Sequence, residues 1–188
     1  MKLLPHSHHS KKAFTLIELL VVITIIAILA GMAVPAGNMV MKRARALQAK
    51  AAISGLMIAI KGYQTEYNRY PMAAGENAEK TVDTSSDGKP LLAALLANDP
   101  TNNPRQIKFY DPSPSKSGMN GYDSVSGALY DPWGNGYHIV IDYGQTGQVA
   151  NPYDTTSNIS TGVLIYSNGP DRTFDSPAPK SDDVKSWE

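Results

Sequence analysis

The sequence predicts an α+β fold: one long N-terminal α-helix leads into a small antiparallel β-sheet with long loops. Three observations support this prediction. An apolar run lies near the N-terminus, apolar residues then recur at helical spacing as far as residue 70, and two short runs rich in β-branched residues follow a region of turn formers. We expect the first half of the helix to span a membrane and the second half to pack on the sheet.

The apolar run begins directly after a basic segment. The 21 residues from Phe14 to Val34 contain one charged residue, Glu18. As a helix they would extend about 32 Å, enough to cross a hydrocarbon core of roughly 30 Å. Residues 1–13 carry three lysines and no acid, which favours retention of that end in the cytoplasm. The rest of the chain would then lie outside the cytoplasm.

Glu18 is the unusual feature of this run, because a carboxylate at a bilayer centre costs on the order of 3 kcal/mol. A cleaved signal peptide is disfavoured by the length of the run and by Glu18 itself. A permanent signal anchor explains the length and leaves Glu18 unexplained. Cleavage between Ala13 and Phe14 would create an α-ammonium at Phe14. That ammonium, in a neighbouring copy, could neutralise Glu18 and set the axial register between subunits.

These residues also carry a family resemblance. Residues 11–35, KKAFTLIELLVVITIIAILAGMAVP, resemble the N-terminal signal of type IV pilins and type II secretion pseudopilins. The resemblance implies that a prepilin peptidase cuts after Ala13 and methylates Phe14, and that Glu18 acts in assembly. It also implies that Pro35 is the proline this family has in its helix. The residue before the cut is normally glycine in the family, and this chain has Ala13 there.

The helical pattern continues beyond Pro35 and ends at Pro71, where a proline is expected to stop it. One face is apolar or aromatic, at spacings of three and four: Ile53, Leu56, Ile60, Tyr63, Tyr67 and Tyr70. A helix from Phe14 to Tyr70 would be about 85 Å long. A small domain cannot bury that length, so its first part must lie in a membrane or among copies of itself.

Four segments follow from this pattern. Residues 1–13 are predicted to be a cleaved leader, and residues 14–35 a membrane-spanning and assembly helix. Residues 36–71 are its amphipathic continuation, and residues 72–188 a loop-rich head with a β-sheet and an acidic C-terminal loop.

Within the head, residues 72–130 are predicted to be mostly loop, with one short helix at 89–99. The runs YHIVIDY (137–143) and GVLIYSN (162–168) predict strands. The sequence DPWGNGY at 131–137 is similar to a turn of the pseudopilin family. Its Asp-Pro start favours a turn, and the Asn-Gly pair at 135–136 favours positive φ.

The C-terminal segment is acidic and rich in turn formers. On its own it is typical of a solvated tail. Major pseudopilins of type II secretion, however, end in a similar loop that binds calcium. That resemblance implies a Ca²⁺ site with Asp171, Asp182 and Asp183 as side-chain ligands and the carbonyl of Asn168 as a backbone ligand. The stretch RTFDSPAPK replaces the glycine-rich run of the family.

The composition excludes several other classes. The chain has no cysteine, which rules out disulfides, thiolate zinc sites and cysteine nucleophiles. Its formal net charge of zero gives no sign of nucleic-acid binding. It has none of the common catalytic motifs, such as G-x-S-x-G, H-E-x-x-H or a P-loop, so we expect no enzymatic activity.

The resemblance therefore implies a structural subunit of a periplasmic filament of type II secretion, held in the inner membrane before assembly. The implied partners are further copies of the chain, a prepilin peptidase, minor pseudopilins, an inner-membrane assembly platform and membrane lipid. Two alternatives stay open. One is a type IV pilin for adhesion, motility or DNA uptake, and the other is a membrane-anchored binding module that does not polymerise.

Overall fold

The computed structural model describes residues 14–72, 78–174 and 182–187, and for residues 32–36 it describes the backbone alone. A long N-terminal helix is followed by a small antiparallel sheet, which confirms the predicted α+β class. The chain forms two compact units, Met1–Lys42 and Arg43–Glu188. The long helix contributes residues to both.

Helix α1 extends over Leu16–Tyr67, so it begins two residues later and ends three residues earlier than predicted. It starts after Thr15 because Thr15 caps it. It ends before Asn68, whose φ of 52° is left-handed, a conformation that asparagine adopts more readily than most residues. The backbone is helical through Pro35.

The N-terminal unit exposes its apolar side chains. From Phe14 to Leu29, the large apolar residues are between 46% and 82% exposed in the single chain. No helix within the described residues is both long enough and apolar enough to cross a membrane. The membrane span expected from residues 14–34 stays a prediction.

In the described residues of the head there are one short helix and eight strands. Helix α2 is Lys89–Leu95, and the strands are β1 (Glu79–Asp83), β2 (Gly121–Asp123), β3 (Ala128–Tyr130), β4 (His138–Asp142), β5 (Val149–Asn151), β6 (Asp154–Ile159), β7 (Val163–Ser167) and β8 (Val184–Lys185). The main sheet has the order β1-β4-β7-β8 and is antiparallel throughout. Strands β2 and β3 form one separate pair, and β5 and β6 form another.

The two strands predicted from the sequence are the central strands β4 and β7 of the main sheet. The prediction that residues 72–130 are mostly loop missed the edge strand β1 and the β2–β3 pair. The predicted helix at 89–99 is present but ends at Leu95, because Ala97 takes a positive φ of 62°.

One face of the sheet packs against α1. The helix buries Ile53, Leu56, Ile60 and Tyr63, and the strands contribute Ile139, Ile141 and Ile165, with α2 closing the same core through Leu91, Leu92 and Leu95. Successive side chains of β4 and β7 point to opposite faces of the sheet. Apolar residues stand at consecutive positions of both strands, so the opposite face is apolar and buried as well. There, the β5–β6 pair packs on Val140, Leu164 and Tyr166. Each large apolar side chain buried in this way contributes about 1.5–3 kcal/mol.

The predicted turn at 131–137 forms around the buried carboxylate of Asp131. Its Oδ1 accepts hydrogen bonds from the backbone N–H groups of Trp133 (2.8 Å) and Asn135 (2.9 Å). The expected positive φ at 135–136 is wrong, because this bonding pattern places the left-handed residue at Gly134, with φ 93°. Gly136 is required for another reason: a Cβ there would collide with the side chain of Asp83.

Candidate assembly and metal sites

Glu18 forms a capping box with Thr15 at the start of α1. Its Oε2 accepts hydrogen bonds from the backbone N–H of Thr15 (2.8 Å) and from Thr15 Oγ1 (2.7 Å). In return, the backbone N–H of Glu18 donates to Thr15 Oγ1 at 3.2 Å. The pattern T-x-x-E ahead of an apolar run is the sequence signature of this motif. This capping role of Glu18 was not predicted, although the T-x-x-E pattern is present in the sequence.

The capping box leaves part of the carboxylate available. Glu18 Oε1 has no hydrogen bond to any residue in the described part of the chain, and Phe14 is 73% exposed. Phe14 and Glu18 line one open groove on the helix, together with Ile17, Val21 and Val22. The two residues expected to act in assembly therefore share one surface. Ala13 lies outside the described residues, and so does the side chain of Pro35.

The exposed apolar surface of the N-terminal unit is too extensive to face water. A contiguous patch of this kind marks a surface covered by lipid or by other protein. Within the described residues of this unit, the only polar side chains on that surface before Gly31 are those of Thr15, Glu18 and Thr24, and the hydroxyl of Thr24 donates to the carbonyl of Leu20. The hydroxyls are thus bonded inside the helix, and Glu18 alone carries charge.

At the other end of the chain, the structure brings Asn168–Gly169 against Asp182. A Cβ on Gly169 would collide with the carbonyl oxygen of Asp182, and φ at Gly169 is 65°. Glycine is therefore needed here for two reasons, the left-handed backbone and the close approach. Asn168 Oδ1 is buried and has no hydrogen-bond partner among the described residues.

Asp183, another predicted ligand of this loop, is hydrogen-bonded to a tyrosine that belongs to an aromatic cluster. Tyr153 Oη donates to Asp183 Oδ2 at 2.6 Å, and the Lys185 ammonium lies 4.4 Å from the Tyr153 ring centre. The ring centres of Tyr166, Phe174 and Trp187 lie 4.8–5.8 Å from that of Tyr153, in tilted and edge-on contacts. The rings of Tyr166 and Phe174 contact each other within the same range of distances. Burial raises the pKa of Tyr166 to about 12, and the nearby carboxylate of Asp183 adds to the shift.

Asp171 is the remaining predicted ligand, and it is exposed. Its Oδ1 accepts a hydrogen bond from the backbone N–H of Thr173 at 2.8 Å. Among the described residues, no three acidic or histidine side chains come together as a metal site. Residues 175–181, which connect Asp171 to the acidic pair, lie outside the described part of the chain.

The oxygens that the structure shows near Gly169 are of the kind that a hard cation binds. They are the backbone carbonyl of Asp182 and the buried amide oxygen of Asn168. Calcium prefers such oxygen ligands and tolerates irregular geometry. The buried Oδ1 of Asn168 was not among the expected ligands, because the sequence pattern suggested the carbonyl of that residue.

The loop is also tied to the Asp131 turn. Ser167 Oγ donates to Asp131 Oδ2 at 2.6 Å, and Gly169 N–H donates to Ser167 Oγ at 3.2 Å. The side-chain amide of Asn135 donates both to Asp131 Oδ2 and to the Gly169 carbonyl, each at 3.0 Å. The turn at 131–137 therefore fixes the position from which the C-terminal loop leaves β7.

A capped apolar N-terminal helix that continues into a small antiparallel sheet defines a pilin-like subunit. In agreement, the family model of the prokaryotic N-terminal methylation motif matches residues 8–34. The chain is 30% identical over 179 residues to type II secretion system core protein G of Aeromonas hydrophila, across 94% of this chain and 92% of that protein. The chain belongs to this family, the major pseudopilins of type II secretion.

A second relative points to the wider pilin class. The chain is 38% identical over 79 residues to a fimbrial protein of Neisseria meningitidis serogroup B, and the match covers 42% of this chain and 45% of that protein. No solved structure matches the chain.

Proposed function

We propose that the mature chain begins at Phe14 and polymerises through its N-terminal helix as the main subunit of a periplasmic pseudopilus. Before assembly, the apolar segment would lie in the inner membrane, with residues 1–13 in the cytoplasm and the head in the periplasm. The observation that carries the proposal is the exposed apolar surface around Glu18, whose Oε1 has no hydrogen bond to a described residue. Membership of the pseudopilin family supports it.

In the proposed assembly step, the α-ammonium of Phe14 in an incoming copy meets Glu18 of a copy already in the filament. Thr15 holds the carboxylate through Oε2, so Oε1 can accept the ammonium without rearrangement. Water is excluded by the surrounding apolar residues, and an ion pair in that setting is much stronger than one in water. The pair would fix how far each copy is shifted along the filament.

The partners follow from the same proposal. They are further copies of this chain, a prepilin peptidase for cleavage and methylation, minor pseudopilins, an inner-membrane assembly platform, and lipid before assembly. A type IV pilin is the second candidate because of the fimbrial relative, but that match covers less than half of each chain. The match to core protein G covers nearly all of both and favours the pseudopilin. The chain is proposed as a structural subunit and not as an enzyme.

The first prediction concerns the N-terminus. Native membranes are expected to contain a chain that starts at N-methylated Phe14, because cleavage after Ala13 creates the ammonium that Glu18 requires. Intact-mass measurement and N-terminal sequencing check this directly. An Ala13→Gly variant is the control and should give the same mature product. A chain that keeps residues 1–13, or one that starts beyond Pro35, would contradict the proposal.

We further propose that the C-terminal loop binds Ca²⁺ through Asp182, Asp183 and the Asn168 side chain, with Asp171 as a ligand that closes the loop. The buried Asn168 Oδ1 and the approach of Gly169 to the Asp182 carbonyl support this. The ion would neutralise two adjacent carboxylates and link the end of β7 to β8. The head would then be stabilised whenever the ion is bound, since binding to the folded state alone shifts the folding equilibrium.

The second prediction tests the ion. Tb³⁺ added to the metal-free mature chain is expected to luminesce on excitation of Trp187 and Tyr153, because Tyr153 contacts Asp183 directly. Ca²⁺ should quench this emission by displacement. At 100-fold excess over its Kd, Ca²⁺ should stabilise the head by about 2.7 kcal/mol.

Two variants make this test specific. Asp183→Asn should abolish the emission and the stabilisation. Asp154→Asn, an exposed aspartate bonded to Thr156, should leave both unchanged. Melting that is independent of calcium, with no sensitised emission, would contradict the calcium proposal and leave the filament proposal standing.

A further inference from the structure

Charge is segregated along the mature chain. Residues 36–65 contain five Lys and Arg residues and no acid, whereas residues 66–188 contain nine Lys and Arg residues and 16 acids. The second half of α1 is therefore basic, with a formal charge of +5, and the rest of the head is acidic, with a formal charge of −7. This asymmetry is hidden in the net charge of the whole chain.

The cations of α1 form a stripe on its exposed face. Arg43, Lys50 and Lys61 recur at intervals of 7 and 11 residues, and both intervals return a helix to nearly the same side. All three are exposed. Leu47 and Ile58, which are 69% and 70% exposed, lie along the same side. The stripe is about 27 Å long. Lys50 and Ile58 on it border a groove that Lys185 and Ser186 of the head also line.

The two end cations of this stripe, Arg43 and Lys61, form no ion pair with an acid in the described part of the chain. The cations Arg105 and Lys108 of the head, by contrast, pair with Glu66 and Asp111. Leu47 and Ile58 lie between these cations of the stripe, so the stripe offers a partner apolar as well as charged contacts.

The head, conversely, exposes acids that have no cationic partner among the described residues. Asp87, Asp154 and Asp171 are exposed, and they accept hydrogen bonds from backbone amides and hydroxyls. None of the three has a cationic partner in the described part of the chain. The acids that would complement the stripe are thus present in the protein itself.

We infer that the exposed face of α1 from Arg43 to Lys61 docks on the acidic head surface of a second copy of this chain. The inference rests on the proposed polymerisation, and it assigns a second contact besides the Phe14–Glu18 pair. Mature copies carry a formal charge of −3 each and would repel one another. Contact between the basic face of one copy and the acidic head of the next converts that repulsion into attraction and selects one orientation.

A membrane surface is the other source of negative charge, and the distribution of the charge disfavours it. The Debye length is about 8 Å at physiological salt, whereas the stripe is about 27 Å long. A bilayer that α1 crosses, as proposed above, could attract only the end of the stripe nearest to it, whereas a protein surface alongside the helix can contact both Arg43 and Lys61. Leu47 and Ile58 are better covered by a protein surface of that length.

The experiment uses mature full-length chains, an equal mixture of ¹⁵N-labelled and unlabelled protein assembled into filaments. A carbodiimide then joins lysines to carboxylates that touch them, and mass spectrometry identifies the peptides. Crosslinks from Lys61 to Asp or Glu in residues 66–187 are expected to contain one labelled and one unlabelled peptide. Crosslinks from Lys61 confined to single-isotope pairs would overturn the inference.

The critical concentration for assembly gives an independent readout. Arg43→Glu with Lys61→Glu should raise it about tenfold, as expected for the loss of about 1.4 kcal/mol in two surface pairs. Arg105→Glu with Lys108→Glu is the matched control: it makes the same charge change at cations already paired within the head and should raise it less than twofold. Equal effects of the two double variants would overturn the inference.

Two further outcomes separate the hypotheses. If the wild-type chain forms no filament, the proposed function fails. If filaments form normally from the Arg43→Glu, Lys61→Glu variant while binding to phosphatidylglycerol vesicles is lost, the face binds lipid and the inference fails alone.

Discussion

Replacement of Glu18 by alanine is expected to abolish filament assembly while the chain is still made, processed and retained in the membrane fraction. The variant leaves the α-ammonium of Phe14 without a partner among apolar side chains. Loss of one partner from a buried ion pair costs about 3–5 kcal/mol, which corresponds to a more than 100-fold loss of assembly. Filament yield by electron microscopy and sedimentation, with the N-terminus checked by mass, measures the effect.

The capping box introduces a second explanation for such a loss, and Glu18→Gln separates the two. Glutamine keeps the size of the side chain and can still accept a hydrogen bond from Thr15 N–H, so the cap is retained. It carries no charge and cannot neutralise an ammonium. We expect Glu18→Gln to fail in assembly nearly as completely as Glu18→Ala.

Thr15→Ala is the reciprocal control. It removes the hydroxyl that donates to Glu18 and accepts from its backbone N–H, and caps of this kind contribute about 0.5–2 kcal/mol. This variant should assemble at a reduced level, because the charge of Glu18 is intact. Normal assembly by Glu18→Gln, with failure of Thr15→Ala, would reverse the roles and sink the ion-pair account.

The sequence predicted α1 well, since its pattern is local. Apolar residues at spacings of three and four, a proline at 71 and the N-terminal motif are all visible in the chain itself. Even there, Glu18 was interpreted only as an assembly acid, whereas the structure shows that the same carboxylate also caps the helix.

The strands that were missed depend on distant partners. Strand β1, EKTVD, is polar at most positions and is held by pairing with β4, with Glu79 opposite Asp142 and Asp83 opposite His138. The sequence next to β1 contains no pattern that predicts this pairing, because β4 lies about 60 residues further along the chain. The apolar runs of β4 and β7 were recognised because both are buried on two faces, and continuous apolar strands of this kind stand out in a sequence.

In the C-terminal loop, too, the candidate ligands could be predicted from the sequence, whereas their surroundings could not. Similarity to the family supplied Asp171, Asp182, Asp183 and Asn168 as candidate ligands. It could not show that Gly169 lies against the Asp182 carbonyl, or that Oδ1 of Asn168 is buried with no hydrogen-bond partner among the described residues. Both facts depend on β8 pairing with β7.

Asp131→Ala is expected to be among the most destabilising single changes in the head. Its carboxylate accepts four hydrogen bonds: two from backbone N–H groups of the turn, one from the Asn135 amide and one from Ser167 Oγ. Asp131 has an exposed fraction of 0%. Alanine would leave the buried Trp133 N–H and Ser167 Oγ, and the half-buried Asn135 N–H, without this acceptor, while the Asn135 amide keeps its bond to the Gly169 carbonyl. Unsatisfied buried groups cost about 1–3 kcal/mol each, and we expect a total loss of about 3–5 kcal/mol in the free energy of unfolding.

Denaturant unfolding of the mature chain in detergent, followed by near-ultraviolet circular dichroism, measures this loss. Asp154→Ala is the matched control, because Asp154 accepts equivalent bonds from Thr156 N–H and Oγ1 at the exposed start of β6. Water can replace the lost acceptor there, and the expected cost is below about 1 kcal/mol. Equal losses in the two variants would show that burial of the Asp131 carboxylate contributes nothing.

The same variant tests how the turn controls the C-terminal loop. Asn135 donates to both Asp131 and the Gly169 carbonyl, so the loss of Asp131 frees Asn135 and with it the start of the loop. If the loop binds Ca²⁺ as proposed, Asp131→Ala should weaken Tb³⁺ binding although residue 131 is not a ligand. Asp131→Asn, which keeps the Oδ1 bonds to the turn but presents a donor towards Ser167 and Asn135, should weaken binding with a smaller loss of stability. Unchanged Tb³⁺ affinity in a folded Asp131→Asn chain would mean that the loop holds its geometry without the turn.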